Sequence, residues 1–102
     1  MSILHINQQN FKEAAESGKT VLLDFYADWC GPCRMVGPIV EEIAKERPDI
    51  VVGKINVDEE RELAEQFSIL SIPTLVVMKG GEIVNKSTGA RPKGQILAML
   101  EG

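Results

Sequence analysis

The chain is poor in the residues that build metal sites. Of its 102 residues two are cysteine and one is histidine. A structural zinc site commonly takes four Cys or His ligands. Beyond the cysteines only His5 is on offer, and it falls in a stretch that reads as a strand. Carboxylates could complete a site, but no second ligand pair is evident. A basic excess is also missing: 11 Lys and Arg against 15 Asp and Glu leave a net charge of −4. That argues against a nucleic-acid partner, which needs a basic face, and against binding to anionic membranes. No apolar run approaches the ~20 residues of a membrane span. The opening "MSILHINQQN" lacks a basic segment followed by an apolar one, so no signal peptide is expected. These absences point to a cytoplasmic protein, in a compartment that keeps thiols reduced, and it is expected to act as a monomer. Repeats, low-complexity tracts and linkers are lacking too, and the length suits one domain over residues 1–102. No Gly-x-Gly-x-x-Gly follows a strand, so the chain carries no dinucleotide fingerprint of its own.

What is present alternates between strand and helix patterns. "ILHI" reads as a short strand. "NQQNFKEAAESG" reads as a helix capped by Asn7, with Phe11, Ala14 and Ala15 facing inward and Gly18 ending it. "TVLLDFYA" is nearly all apolar, as in a central strand buried on both faces. A longer helix follows, in which Val36, Ile39, Val40 and Ile43 form one stripe. Pro38 within it predicts a kink. "IVVGKINVD" is the next strand, and Asp58 is placed to cap a helix with Glu59 and Glu60 in its first turn. Leu63, Ala64 and Phe67 supply that helix's inner face. "TLVVMK" and "EIVNKST" are strands joined by Gly80-Gly81, a hairpin signal. Pro92 opens a last helix with Ile96, Leu97 and Leu100 on one side. The order β-α-β-α-β-α-β-β-α predicts an α/β fold, a mixed central sheet with helices on both faces.

Both cysteines sit in "WCGPCR", Cys30 and Cys33, where a buried strand gives way to a helix. A disulfide staple here would close a very small loop and restrict the unfolded chain little. A redox pair has a physical rationale. At i and i+3 the two sulfurs can share one face of a first helical turn. The free N–H groups and dipole at that end favour a thiolate at Cys30. Pro32 suits a first turn and stiffens it, and Gly31 lets another chain approach closely. Thiol–disulfide exchange needs a nucleophilic thiol and a second one to resolve the mixed disulfide.

"LDFYADWCGPCRMVGPIVEEIA", "KINVDE" and "SIPTLVVMKGGEIV" together resemble the thioredoxin family across essentially the whole chain. The resemblance implies the thioredoxin fold and a protein dithiol–disulfide oxidoreductase. Such a protein reduces substrate disulfides through Cys30 and Cys33. It is recycled by a thioredoxin reductase that draws on NADPH, with no bound cofactor or metal.

The same resemblance assigns roles to single residues. Asp24, a carboxylate in a buried strand with a raised pKa, becomes the proton acceptor for the resolving thiol; otherwise it is a paired or edge polar group. Lys54 either helps set the protonation of Asp24 or merely extends from its strand to solvent. Pro73 is expected in cis. Proline lacks an N–H, so the backbone of Ile72 is free to pair with an extended substrate. Trp29, Gly31, Pro32, Ile72, Pro73, Gly89 and Ala90 match the family's substrate groove. Tyr26 and Arg34 stand where many bacterial members have Trp and Lys, and Leu70 and Ser71 where a common pattern has Arg and Gly. These departures bear on partner choice rather than on the reaction. Two rival readings are a disulfide donor or isomerase on the same fold, and a binding module that transfers no electrons.

Overall fold

A computed structural model describes residues 3–101. Its elements are β1 (Ile3–His5), α1 (Phe11–Ala15), β2 (Val21–Tyr26), α2 (Gly31–Glu46) and β3 (Val51–Asn56). They are followed by α3 (Arg61–Gln66), β4 (Thr74–Lys79), β5 (Glu82–Thr88) and α4 (Lys93–Glu101). The sheet order is β1-β3-β2-β4-β5. β3 lies parallel to both β1 and β2, while β4 runs antiparallel to β2 and β5 antiparallel to β4. This is the mixed sheet that alternation followed by a hairpin predicts. Gly80 and Gly81 turn the hairpin at φ 61° and 80°, positive angles that a two-residue type I′ loop requires at both positions.

The two-residue period of the strands divides the core into two layers. Leu22, Val52, Leu75 and Val77 point to one face and pack against Val36, Val40, Ile43 and Ala44 of α2 and Ile96 and Leu100 of α4. Leu23, Phe25, Ile55 and Val76 point to the other, against Ala14 and Ala15 of α1 and Leu63 of α3. Each fully buried Val, Leu, Ile or Phe among them stabilises the fold by roughly 1.5–3 kcal/mol. β2 is therefore covered on both sides, which is why its sequence is almost unbroken apolar. Asp24 interrupts it on the α2 face. Gly53, the register partner of Leu23 in β3, is fixed by packing: a Cβ there would lie 2.6 Å from Ile6 Cγ1.

Two helices start later than the sequence implies. Asn7 does not cap α1. Its Oδ1 accepts from the N–H groups of Gln9 and Asn10, while Asn10 Oδ1 accepts from Asn7 N–H. The two side chains stabilise a turn before the helix, which opens at Phe11. Asp58 does not cap α3, and Glu59 and Glu60 precede that helix. Their N–H groups both donate to the Asn56 carbonyl, and α3 opens at Arg61. α2 runs continuously through Pro38. Gly37 and Ala44 join its buried face, and Ile39 is only partly buried. Lys93 bonds to Glu42 and Glu46, and Arg47 to Asp49 and Glu101, tying α4 to the outer side of α2. Among the described residues no helix is long and apolar enough to cross a membrane.

Candidate active site

β2 delivers the chain to Cys30, which occupies the N-cap of α2 in extended conformation, with Pro32 in the first turn. Cys30 Sγ accepts the backbone N–H of Cys33 at 3.2 Å. That bond satisfies one of the free donors of the helix start and directs its positive end at the sulfur. Cys30 and Cys33 are joined as a disulfide, their Cα atoms 5.3 Å apart. Both are buried, at 4% and 5% exposure, among Ala27, Tyr26, Val57 and Ile72. Gly31 and Pro32 between them are exposed. The helix turn thus offers its backbone to solvent while the sulfurs rest against apolar groups.

The Ile72–Pro73 peptide bond is cis. The Ile72 carbonyl oxygen lies 3.9 Å from Cys30 Sγ. Ile72 is partly buried and Pro73 buried. The Pro73 carbonyl accepts the N–H of Gly89 at 2.8 Å, with Gly89 at φ 95°. This bond brings Gly89 and the exposed Ala90 alongside the proline loop. Trp29 is 68% exposed, and its indole Nε1–H donates to Asp58 Oδ2 at 2.8 Å. Asn56 Oδ1 in turn accepts the Asp58 N–H. Trp29, Val57, Ile69, Leu70 and Ile72 line an open apolar groove of about 440 Å³ beside the cysteines. Leu70 stands almost wholly in solvent at its edge.

Asp24 and Lys54 are register partners on β2 and β3 and share the α2 face of the sheet. Asp24 is 1% exposed, and among the described residues neither carboxylate oxygen has a hydrogen-bond partner. Burial raises its pKa from 3.8 to about 6, against a downward pull from the Lys54 charge. Lys54 Nζ does not bond Asp24; it lies 4.6 Å from the centroid of the Tyr26 ring. Lys54, Tyr26 and Cys33 line one open pocket of about 270 Å³, whose walls do not include Asp24. His5 is Lys54's register partner on β1. Among the described residues no three His, Cys, Asp or Glu side chains are grouped as a metal site requires.

Two contacts at this site lie beyond sequence reasoning. Asp58 shows only a helix-start signal, and nothing in the spacing links it to Trp29. Tyr26 reads as one more apolar residue of β2, although its place one turn of pleat from Asp24 puts it on the same face.

The thioredoxin family model matches residues 2–102. A thioredoxin from Alicyclobacillus acidocaldarius is 48% identical over 96 residues, covering 93% of this chain and 91% of its own. A bifunctional thioredoxin reductase/thioredoxin from Mycobacterium leprae is 46% identical over 91 residues, covering 88% of this chain and 20% of the longer protein. Among solved structures, a single-site mutant of a thioredoxin from Halobacterium salinarum superposes with a TM-score of 0.91 at 38% identity. That match covers 98% of this chain and 88% of the other. With a cysteine pair at the start of α2 and likeness of this extent, the chain belongs to the thioredoxin family of dithiol–disulfide oxidoreductases.

Proposed function

We propose that this single domain reduces protein disulfides in the cytoplasm as a monomer, and that a thioredoxin reductase drawing on NADPH returns it to the dithiol. The observation that carries the mechanism is the position of Cys30 Sγ at the N-cap of α2, where it accepts the Cys33 N–H. In the dithiol form that donor and the positive end of the helix favour the Cys30 thiolate over the thiol. The thiolate attacks one sulfur of a substrate disulfide. That S–S bond breaks, a mixed disulfide with Cys30 forms, and the departing substrate thiolate takes a proton from water. Cys33 then gives up its proton and attacks Cys30 Sγ. The second substrate sulfur leaves as a thiolate, and the Cys30–Cys33 disulfide remains. Two electrons have passed to the substrate.

Asp24 is the acceptor for the Cys33 proton. Its pKa of about 6 leaves it ionised yet basic enough for that task at neutral pH. Lys54, on the adjacent strand, contributes the nearby positive charge. The substrate strand lies across Trp29, Gly31, Pro32, Ile72, Pro73, Gly89 and Ala90. There the Ile72 backbone can pair with an extended chain, and the apolar groove receives its side chains. No nucleic acid or membrane takes part. The fusion of a reductase to a related domain in the Mycobacterium leprae protein supports the choice of electron donor.

A coupled assay tests that donor. With NADPH, a bacterial thioredoxin reductase and insulin, the protein is expected to drive NADPH oxidation at a rate that saturates in its own concentration. Insulin reduction sustained by dithiothreitol but never by NADPH and the reductase would leave the exchange chemistry standing and reject the reductase.

A further inference from the structure

We propose that Tyr26 is a positioning residue, whose ring face holds the Lys54 ammonium in place without neutralising it, so that the full lysine charge acts on Asp24. The inference rests on reading Asp24 as the proton acceptor. Lys54 emerges from β3 on the α2 side of the sheet, between Asp24 on β2 and His5 on β1. Its Nζ lies 4.6 Å from the Tyr26 centroid, within cation–π range. It also lies 3.6 Å from where a Cβ on Gly37 would be, so α2 closes over it from the other side.

Several anions are within reach of a lysine released from this position. Asp28 and Glu41 line the same open pocket, with Arg34 and Cys33. Glu59 stands near Tyr26 from the loop before α3. A carboxylate partner would cancel most of the field of Lys54. A ring face attracts the ammonium through its quadrupole and carries no net charge, so it holds the cation and leaves its field intact. Asp24, with no hydrogen bond to either oxygen, depends on that field more than a solvated carboxylate does.

The test follows Asp24 itself by the pH titration of its carboxyl carbon in NMR, alongside the pH profile of disulfide reduction. Tyr26→Leu is expected to move the Asp24 midpoint upward by about half a pH unit, as the lysine turns to solvent and the pocket carboxylates. Tyr26→Phe keeps the ring and is expected to leave the midpoint in place. Lys54→Met raises the midpoint, and adding Tyr26→Leu to it gives no further change. If Tyr26→Leu leaves the midpoint unmoved, lowers it, or raises it equally with Lys54 absent, the proposal is overturned. So it is if Tyr26→Phe acts like Tyr26→Leu. Should the leucine variant not fold, the wild-type protein still decides: the ε-methylene protons of Lys54 must show the upfield displacement of a group over a ring face, and their absence from it overturns the assignment. A midpoint that moves while the pH profile of reduction does not would uphold Tyr26 and remove Asp24 from the reaction.

Discussion

Serine at position 30 is expected to lower disulfide reduction by at least about 10⁴-fold, the scale of losing a catalytic nucleophile. The hydroxyl can still accept the Cys33 N–H that the sulfur accepts now. It cannot ionise near neutral pH, however, and the helix start then has no thiolate to favour. Cys33→Ser should behave differently. Cys30 retains its place and attacks, but no thiol follows, so the protein accumulates as a mixed disulfide with its substrate. Intact-mass measurement after mixing with a disulfide substrate separates the cases: an adduct with Cys33→Ser and none with Cys30→Ser. Neither change should unfold the protein. The bridge closes a loop too small to restrict the unfolded chain much, and serine is close in size to the cysteine it replaces. Full turnover by either variant would contradict the assignment of the two thiols.

The second large effect concerns stability and its pH dependence. Asp24 carries a pKa of about 6 in the fold against an ordinary 3.8. Between those values the native state holds a proton that the unfolded chain has released. Stability therefore falls as pH rises through this window and levels off above about pH 6. At 1.36 kcal/mol per pH unit the loss comes to about 3 kcal/mol. At 1% exposure the carboxyl has little solvent to screen it. Asp24→Asn carries no titrating charge. Whatever burying its amide costs stays constant with pH. The stability of wild type relative to Asp24→Asn should therefore drop by about 3 kcal/mol between about pH 3.5 and pH 7.5. Urea unfolding of the oxidised forms measures this directly. The same variant should slow the resolving step near neutral pH by about 10²-fold, the lower end of what a positioned base contributes. A flat stability difference would mean that the carboxyl is solvated in the native state. Unchanged exchange rates would take Asp24 out of the mechanism.

Much of this architecture is legible in the sequence because its causes are local. The nearly unbroken apolar run of β2, the Gly80-Gly81 hairpin and the last helix after Pro92 each follow from a short-range rule, and each lies where that rule puts it. The cysteine pair is equally local, since strand end, helix start and i, i+3 spacing are all in one segment. The helix starts at α1 and α3 were less legible for a physical reason. Asn and Asp side chains cap turns as readily as helices. At Asn7 the side chain went to a preceding turn, and at Asp58 to Trp29, a residue 29 positions away. Only the folded sheet brings that pair together. The same holds for Lys54. Its strand and its neighbour Asp24 can be anticipated, but the ring above its ammonium depends on how β2 and α2 meet.

For the proposed function, Cys30 and Cys33 must cycle reversibly between dithiol and disulfide at a potential fit for reducing other proteins. The most direct test is equilibration of the pair against a thiol couple of known potential, with the two forms separated by alkylation and mass. A reversible two-electron equilibrium at about −270 mV is expected, the value characteristic of thioredoxins. A potential near about −120 mV would instead describe a disulfide donor, and a pair that forms no reversible disulfide would describe a binding module. Either result would rule out a disulfide-reducing role for Cys30 and Cys33.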